Sequence, residues 1–302
     1  MKKPITLSDY RERIMRVIDY IWQNTDSTID VNQLADVAHF SPYHFHRIYR
    51  EMMHENVNAT VRRLRLSRAS NLLLQTDLSL EHIAKSVNYS SGEAFSRAFS
   101  KAYELSPSAY RLQRREFHSR SMQLSATPLP VTHLPDTQLP AKRSYPMSHP
   151  VEIRDIKKTA LGGLPHKGDY MAIGACFEKV FMKAGALNLL GPTTRSFGIF
   201  YDDPESLAPE KLSSHAALNL NPEQAAAADL EPLSVGGGKH AVLTFTGPYS
   251  ELGLAYQWFY GHWLPNSGYE CGDSPPFEEY LNNPKDTAPQ DLMTDIHLAL
   301  RE

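Results

Sequence analysis

The sequence predicts a chain of two parts, an all-α double helix-turn-helix N-terminal domain and an α+β C-terminal domain made of two similar strand-helix-strand halves. Three observations carry this. LADVAHFSPYHFHRIYRE, from Leu34, returns as IAKSVNYSSGEAFSRAFSKAY from Ile83. HKGDYMAIGACFEKVF, from His166, returns as FTGPYSELGLAYQWFY from Phe245 at a constant offset of 79. Between the two repeats the net charge changes sign across a proline-rich stretch.

The charge step divides the 302 residues. Residues 1–120 carry 18 Lys and Arg against 13 Asp and Glu, whereas residues 121–302 carry 13 against 21. The front part is therefore the one suited to a polyanion, and double-stranded DNA is the expected partner. The segment SATPLPVTHLPDTQLPAKRSYPMSHP has six prolines and almost no apolar periodicity, so it reads as an extended linker. The domains are accordingly drawn at 1–118, a linker at 119–150, and 151–302. No apolar run of about 18 residues and no signal-peptide pattern is present, so no membrane partner and a cytoplasmic location are expected. Cys176 and Cys271 lack CxxC spacing, which gives no sign of a disulfide framework or a zinc knuckle.

Each helix-turn-helix copy is built the same way. Leu34, Ala35 and Ala38 form an apolar stripe, His39 and Phe40 close the helix, and Ser41 with Pro42 starts the next. Ile83, Ala84 and Val87, then Asn88 and Tyr89, then Ser90 as the expected cap, repeat this pattern. His and Asn are among the residues that best tolerate positive φ at such a turn. The i, i+4 aromatic pairs Phe45/Tyr49 and Phe95/Phe99 should face the core, leaving Tyr43, His46, Arg47 and Arg50, and then Gly92, Glu93, Ser96 and Arg97, facing outward. Arg binds guanine O6/N7 bidentately, Glu accepts from cytosine N4, and Ser and His are adaptable, so these side chains form a base-reading set, with Arg47 and Arg97 foremost. A helix over residues 59–75, about 25 Å long, would place two reading helices on successive groove faces about 34 Å apart. Arg62, Arg63 and Arg68 read equally well as a solvated face, and Arg65 as a structural ion pair. His44 and His46, two apart on a helix, point to different faces and do not form a metal pair.

Leu64-Arg65-Leu66, Ala69, Leu72-Leu73, Ile83-Ala84, Phe95-Ser96-Arg97-Ala98-Phe99, Leu105-Ser106-Pro107 and Tyr110-Arg111 together resemble the signature of AraC/XylS-type transcription regulators over about residues 10–115. The resemblance implies DNA binding by both units, with RNA polymerase as a candidate further partner. His39 and Asn88 depart from the glycine usual in that family, Thr60 from a common aromatic, and Gly92-Glu93 is an unusual start for the second reading helix.

In the second part VEIRDI, SFGIFY, AALNL, HAVLTF, FEEYL and DIHLAL read as strands around two repeated helices. The GGGK run at Gly236 lacks the rest of a phosphate loop and reads as a hairpin turn. The junction of the halves is a natural cleft. Alternation in PPFEEYL puts Glu278 with Tyr280 on one sheet face and Phe277, Glu279 and Leu281 on the other. A carboxylate among aromatics such as Tyr170, Phe177, Tyr249 and Trp258 suits a lipophilic cation. An edge-strand glutamate beside a purely structural aromatic core is the plainer alternative.

PFEEYLNNPKDTAPQDLMTDIHLAL resembles the C-terminal signature of GyrI-like small-molecule-binding domains, over about residues 151–302. The resemblance implies that Glu278 faces the ligand. Glu279 stands where that family usually has an apolar residue, which brings it in as a second candidate. The combined expectation is a DNA-binding transcription regulator that senses a small hydrophobic or cationic effector, without cofactor, metal or catalytic residues. The alternative is a toxin-hydrolysing or sequestering domain fused to a DNA-binding one, because some proteins resembling the GyrI-like domain are hydrolases.

Overall fold

The computed structural model describes residues 4–112 and 149–301. The expected linker, apart from residues 149 and 150, lies outside them. The described residues form two compact units that do not follow chain order: residues 4–12, 39–56 and 149–301 make one, and residues 13–38 and 57–112 the other.

The helical elements are α1 (Leu7–Gln23), α2 (Val31–Ala38), α3 (Pro42–Met53), α4 (Val57–Gln75), α5 (Leu80–Ser86) and α6 (Gly92–Tyr103). The two helix-turn-helix copies repeat in backbone conformation as well as in sequence. His39 and Asn88 both take φ near +55°, as do His54 and Glu104, which cap α3 and α6. Phe45, Tyr49, Phe95 and Phe99 are fully buried, as their spacing predicts. In the second copy Leu66, Ala69, Leu73, Ile83, Ala84 and Val87 pack with Phe95 and Phe99 into one core.

Three local expectations differ from the structure. The cap of α6 is Ser91, not Ser90: the Ser91 side chain accepts from the Ala94 backbone N–H at 3.1 Å, and Ser90 is exposed. Arg65 is structural, but its guanidinium donates to the backbone carbonyls of Thr25 (3.1 Å) and Ser27 (2.7 Å) rather than to a carboxylate. The first cap, Ser41, makes no side-chain capping bond, and Pro42 at the first helical position sets the start of α3 instead. Ser91→Ala is expected to cost about 1 kcal/mol in a urea unfolding series, with Ser90→Ala nearly silent. The reverse order would return the cap to Ser90.

The other unit is organised by one antiparallel sheet of β1 (Val151–Ile156), β2 (Thr159–Lys167), β3 (Ser196–Phe200), β4 (Ser213–Leu218), β5 (Glu231–Val235), β6 (Gly238–Thr246), β7 (Phe277–Tyr280) and β8 (Met293–Ala299). Their order is β1-β6-β8-β7-β3-β4-β2-β5. The order is symmetric about the β7/β3 pairing: β2, β3 and β4 of the first half correspond to β6, β7 and β8 of the second. β2 and β6 lie 79 residues apart at both ends, so the sequence repeat is the structural repeat. After each comes a positive-φ glycine, Gly168 or Gly247, then a helix: α7 (Gly174–Ala186), or α8 (Leu252–Trp258) extended by a π-helical stretch Phe259–Trp263.

β2 and β5 escape a reading of the sequence. TALGGLPHK holds two glycines and a proline, which ordinarily argue against a strand. Here Gly162 and Gly163 are required by close packing, since a Cβ would lie 2.8 Å from the Ala225 Cβ and 2.8 Å from the Ala216 carbonyl oxygen, respectively. Pro232 is tolerated because β5 is an edge strand. The Gly236 run is not a hairpin turn. It carries the chain from β5, at one edge of the order, to β6, which pairs β1 near the other edge. Gly236, Gly237 and Gly238 all have positive φ, and the Gly237 N–H donates to the Ile156 carbonyl at 2.9 Å.

Candidate functional site

At the symmetry junction Gly198 of β3 pairs directly with Glu278 of β7. The absent side chain matters, because a Cβ on Gly198 would lie 2.8 Å from the Tyr280 hydroxyl and 2.8 Å from the Phe200 ring. In the space so left, the Tyr280 hydroxyl donates to Glu278 Oε2 at 2.8 Å. The Tyr280 ring is held edge-on by Phe177 of α7 and Tyr249, each with ring centroids 5.4 Å away. Tyr256 of α8 brings a second hydroxyl near the carboxylate, short of a well-formed hydrogen bond. Glu278 is buried, and this desolvation pushes its carboxyl up to about 7 against the partial relief given by Tyr280, Tyr256 and the Arg47 charge. The arrangement is an aromatic chamber around one carboxylate.

The other predicted chamber residues divide. Tyr170 lies at the periphery, edge-on to Phe200 at 4.8 Å and donating to the Ser213 carbonyl at 3.0 Å. Trp258 packs edge-on against His149 at 5.4 Å. Glu279 is on the opposite sheet face, as alternation predicts, where it accepts from Arg195 Nη1 at 3.0 Å. Tyr256 is one of the aromatics the sequence offers for this cleft, whereas Tyr260, which lies under the Arg47 guanidinium and is bonded by His44, was missed. The repeat held the signal: Tyr256 and Tyr260 are the counterparts of Phe177 and Phe181 at offset 79, with hydroxyls added.

The reading-helix residues also divide. In α6, Glu93 and Arg97 are exposed and form a 3.4 Å i, i+4 pair, with Ser96 half-buried beside them. Such a pair is worth little and leaves both side chains accessible. In α3 the expected outward set is covered by its own compact unit. Arg47 is only 3% exposed, donating to the carbonyls of Tyr43 (3.0 Å) and Asp202. Its guanidinium lies over the rings of Tyr256 and Tyr260, 5.5 and 5.8 Å from their centroids. Arg50 pairs with the buried Asp203 carboxylate at 2.7 Å, and Tyr43 tilts against Tyr201 at 6.1 Å. His46 is half-buried, and desolvation lowers its pKa. Neighbouring His44 bonds the Tyr260 hydroxyl (2.7 Å) and the Ser274 carbonyl (3.0 Å), and burial holds it neutral with a pKa of about 3. Helical periodicity places these residues on one side of α3 but says nothing of what lies against that side.

The family model for GyrI-like small-molecule-binding domains matches residues 149–301. The chain belongs to this GyrI-like family. A helix-turn-helix model matches residues 34–113, so the GyrI-like domain follows a helix-turn-helix domain of AraC type. Among curated relatives, the chain is 33% identical over 111 residues to the uncharacterized HTH-type transcriptional regulator YbfP of Bacillus subtilis, covering 37% of this chain and 38% of that one. It is 39% identical over 83 residues to the HTH-type transcriptional regulator AlkR of Acinetobacter baylyi, covering 28% and 27%. The chain thus spans about a third of the length of the curated relatives it matches. Among solved structures it is similar to the DNA-binding domain of the global transcriptional factor AdpA in complex with a target DNA, at 24% identity and a TM-score of 0.33, covering 35% and 96%. In the GyrI-like domain, Glu278 is the described carboxylate that the fold both buries and surrounds with rings. No helix among the described residues is long and apolar enough to cross a membrane.

Proposed function

We propose that the protein is a transcription regulator whose two reading helices bind double-stranded DNA and whose GyrI-like domain senses a lipophilic cation at Glu278. One observation supports the ligand class: a buried carboxylate whose protonation is favoured by desolvation, with tyrosine and phenylalanine rings around it. Burying a carboxylate is costly unless a charge partner arrives, and aromatic faces supply further attraction for a desolvated cation. Glu279, already paired with Arg195 on the other face, has no part in this reading. The functional boundaries follow the chain, with DNA binding in 1–118, a linker in 119–150 and effector binding in 151–302. α3 is the segment that takes part in both tasks.

Tryptophan fluorescence of the full chain, titrated with tetraphenylphosphonium, triphenylphosphine oxide and tetraphenylborate, tests the ligand class with a cation, a neutral compound and an anion of related shape. Saturable binding of the cation, weakened at least about tenfold in Glu278→Gln, is expected, since one charge-assisted contact is worth about 1.5–3 kcal/mol. Equal affinity for all three compounds, or an unaffected variant, would remove Glu278 from this role.

A further inference from the structure

The base-reading set of the first helix-turn-helix copy and the wall of the Glu278 chamber meet in one place. Tyr256 is the shared element, with its hydroxyl near the Glu278 carboxylate and its ring beneath the Arg47 guanidinium. Tyr260 lies under the same guanidinium and is bonded by His44, also of α3. Arg50 fixes the next turn of the helix to Asp203, whose other oxygen accepts from Ser206 at 2.6 Å. α3 is therefore held by three consecutive contributions, His44, Arg47 and Arg50. The middle one places a positive charge on the aromatic wall that a cationic ligand would use.

We propose that Arg47 is an internal cation of the Glu278 chamber, so that effector binding and the docking of α3 oppose one another. The inference rests on the cation-binding reading of Glu278 given above. Two positive charges that share Tyr256 and one carboxylate, away from water, repel more strongly than they would in solvent. By reciprocity, a cation that enters the chamber weakens the hold on Arg47 by the same factor that docked Arg47 weakens the cation. Tyr43, His46, Arg47 and Arg50 are the side chains that α3 would offer to base edges, so a cation that releases the helix frees the first reading head. The same side chain then serves as lock in the ligand-free chain and as reader in the liganded one.

The test is titration of the full chain with tetraphenylphosphonium at about pH 8.5, where Glu278 is ionised, in wild type, Arg47→Gln, Asp203→Asn and Glu278→Gln. Arg47→Gln is expected to tighten the cation by about fivefold or more, the lower end of typical coupling between sites, and to leave triphenylphosphine oxide unchanged. Asp203→Asn removes the Arg50 anchor and a carboxylate charge that also acts on Arg47, while keeping the Arg47 side chain itself, and is expected to move cation affinity in the same direction. This keeps the idea testable should Arg47→Gln fold poorly. If Glu278→Gln weakens the cation while neither Arg47→Gln nor Asp203→Asn tightens it, the antagonism is wrong and the ligand reading stands. If Glu278→Gln binds as wild type does, both fall. Equal tightening of cation and neutral compound by Arg47→Gln would also overturn the proposal, because vacated volume rather than charge would then be responsible.

Discussion

Phe99→Ala is expected to destabilise the second helix-turn-helix copy by about 3–5 kcal/mol, the usual cost of removing a fully buried ring from a packed core. Phe99 is inaccessible and is the centre of an aromatic group, stacked on Tyr103 at 4.4 Å and edge-on to Tyr110 at 5.3 Å, with Phe95 at 5.5 Å. These rings tie the last turn of α6 and the helical residues 107–110 to the core formed by α4 and α5. Removing Phe99 takes a partner from each of them at once, and the surrounding helices can close only part of the cavity. Phe99→Leu keeps most of the apolar volume and should cost much less. Urea unfolding followed by circular dichroism is the measurement, and it should be fitted with separate transitions because the chain forms two compact units. A loss below about 1 kcal/mol for Phe99→Ala would mean that the α6 core is not the cooperative element described here.

What the sequence made legible, and what it concealed, follows from the range of the interactions involved. Local periodicity placed Phe45, Tyr49, Phe95 and Phe99 inward, and the turn chemistry of His39 and Asn88 matched their positive φ. The 79-residue repeat revealed the symmetric halves because a duplicated unit preserves glycines and aromatics in register. Alternation in β7 separated Glu278 from Glu279 correctly. The failures share a different cause. β2 becomes a strand although it contains Gly162, Gly163 and Pro165, since neighbours distant in sequence fill the space beside it. The Gly236 run looked like a hairpin because nothing local reveals which strand β6 will pair with. Arg47 looked like an outward base reader, and its burial against Tyr256 and Tyr260 depends on residues more than two hundred positions away. Side-chain periodicity assigns a face to each residue, whereas the partner of that face is a tertiary fact.

Affinity for a permanent cation is expected to fall about a hundredfold between pH 8 and pH 5, because the chamber needs Glu278 as a carboxylate and its folded pKa is about 7. Two pH units below that value only about one molecule in a hundred is ionised, and a quaternary cation does not itself titrate. His44, with a pKa of about 3, stays neutral across the window, and His46 is lowered by desolvation, so neither supplies the expected midpoint. Stability should move the opposite way. The Glu278 pKa is raised above the ordinary carboxylate value of 4.5, so the folded state binds more protons than the unfolded one between 4.5 and about 7. Stability contributed by this group is therefore present below 4.5, declines as pH rises through that window, and is level above it. The group that strengthens ligand binding at neutral pH is thus the one that costs the empty fold stability there. A bound cation reverses this by favouring the carboxylate. Glu278→Gln should flatten both the binding profile and this part of the stability profile. Arg47→Gln, which removes the nearby positive charge that now favours ionisation, should move the binding midpoint above that of the wild type. A midpoint near 4.5, or one that persists in Glu278→Gln, would place the titration elsewhere and separate the aromatic chamber from the charge that gives it a purpose.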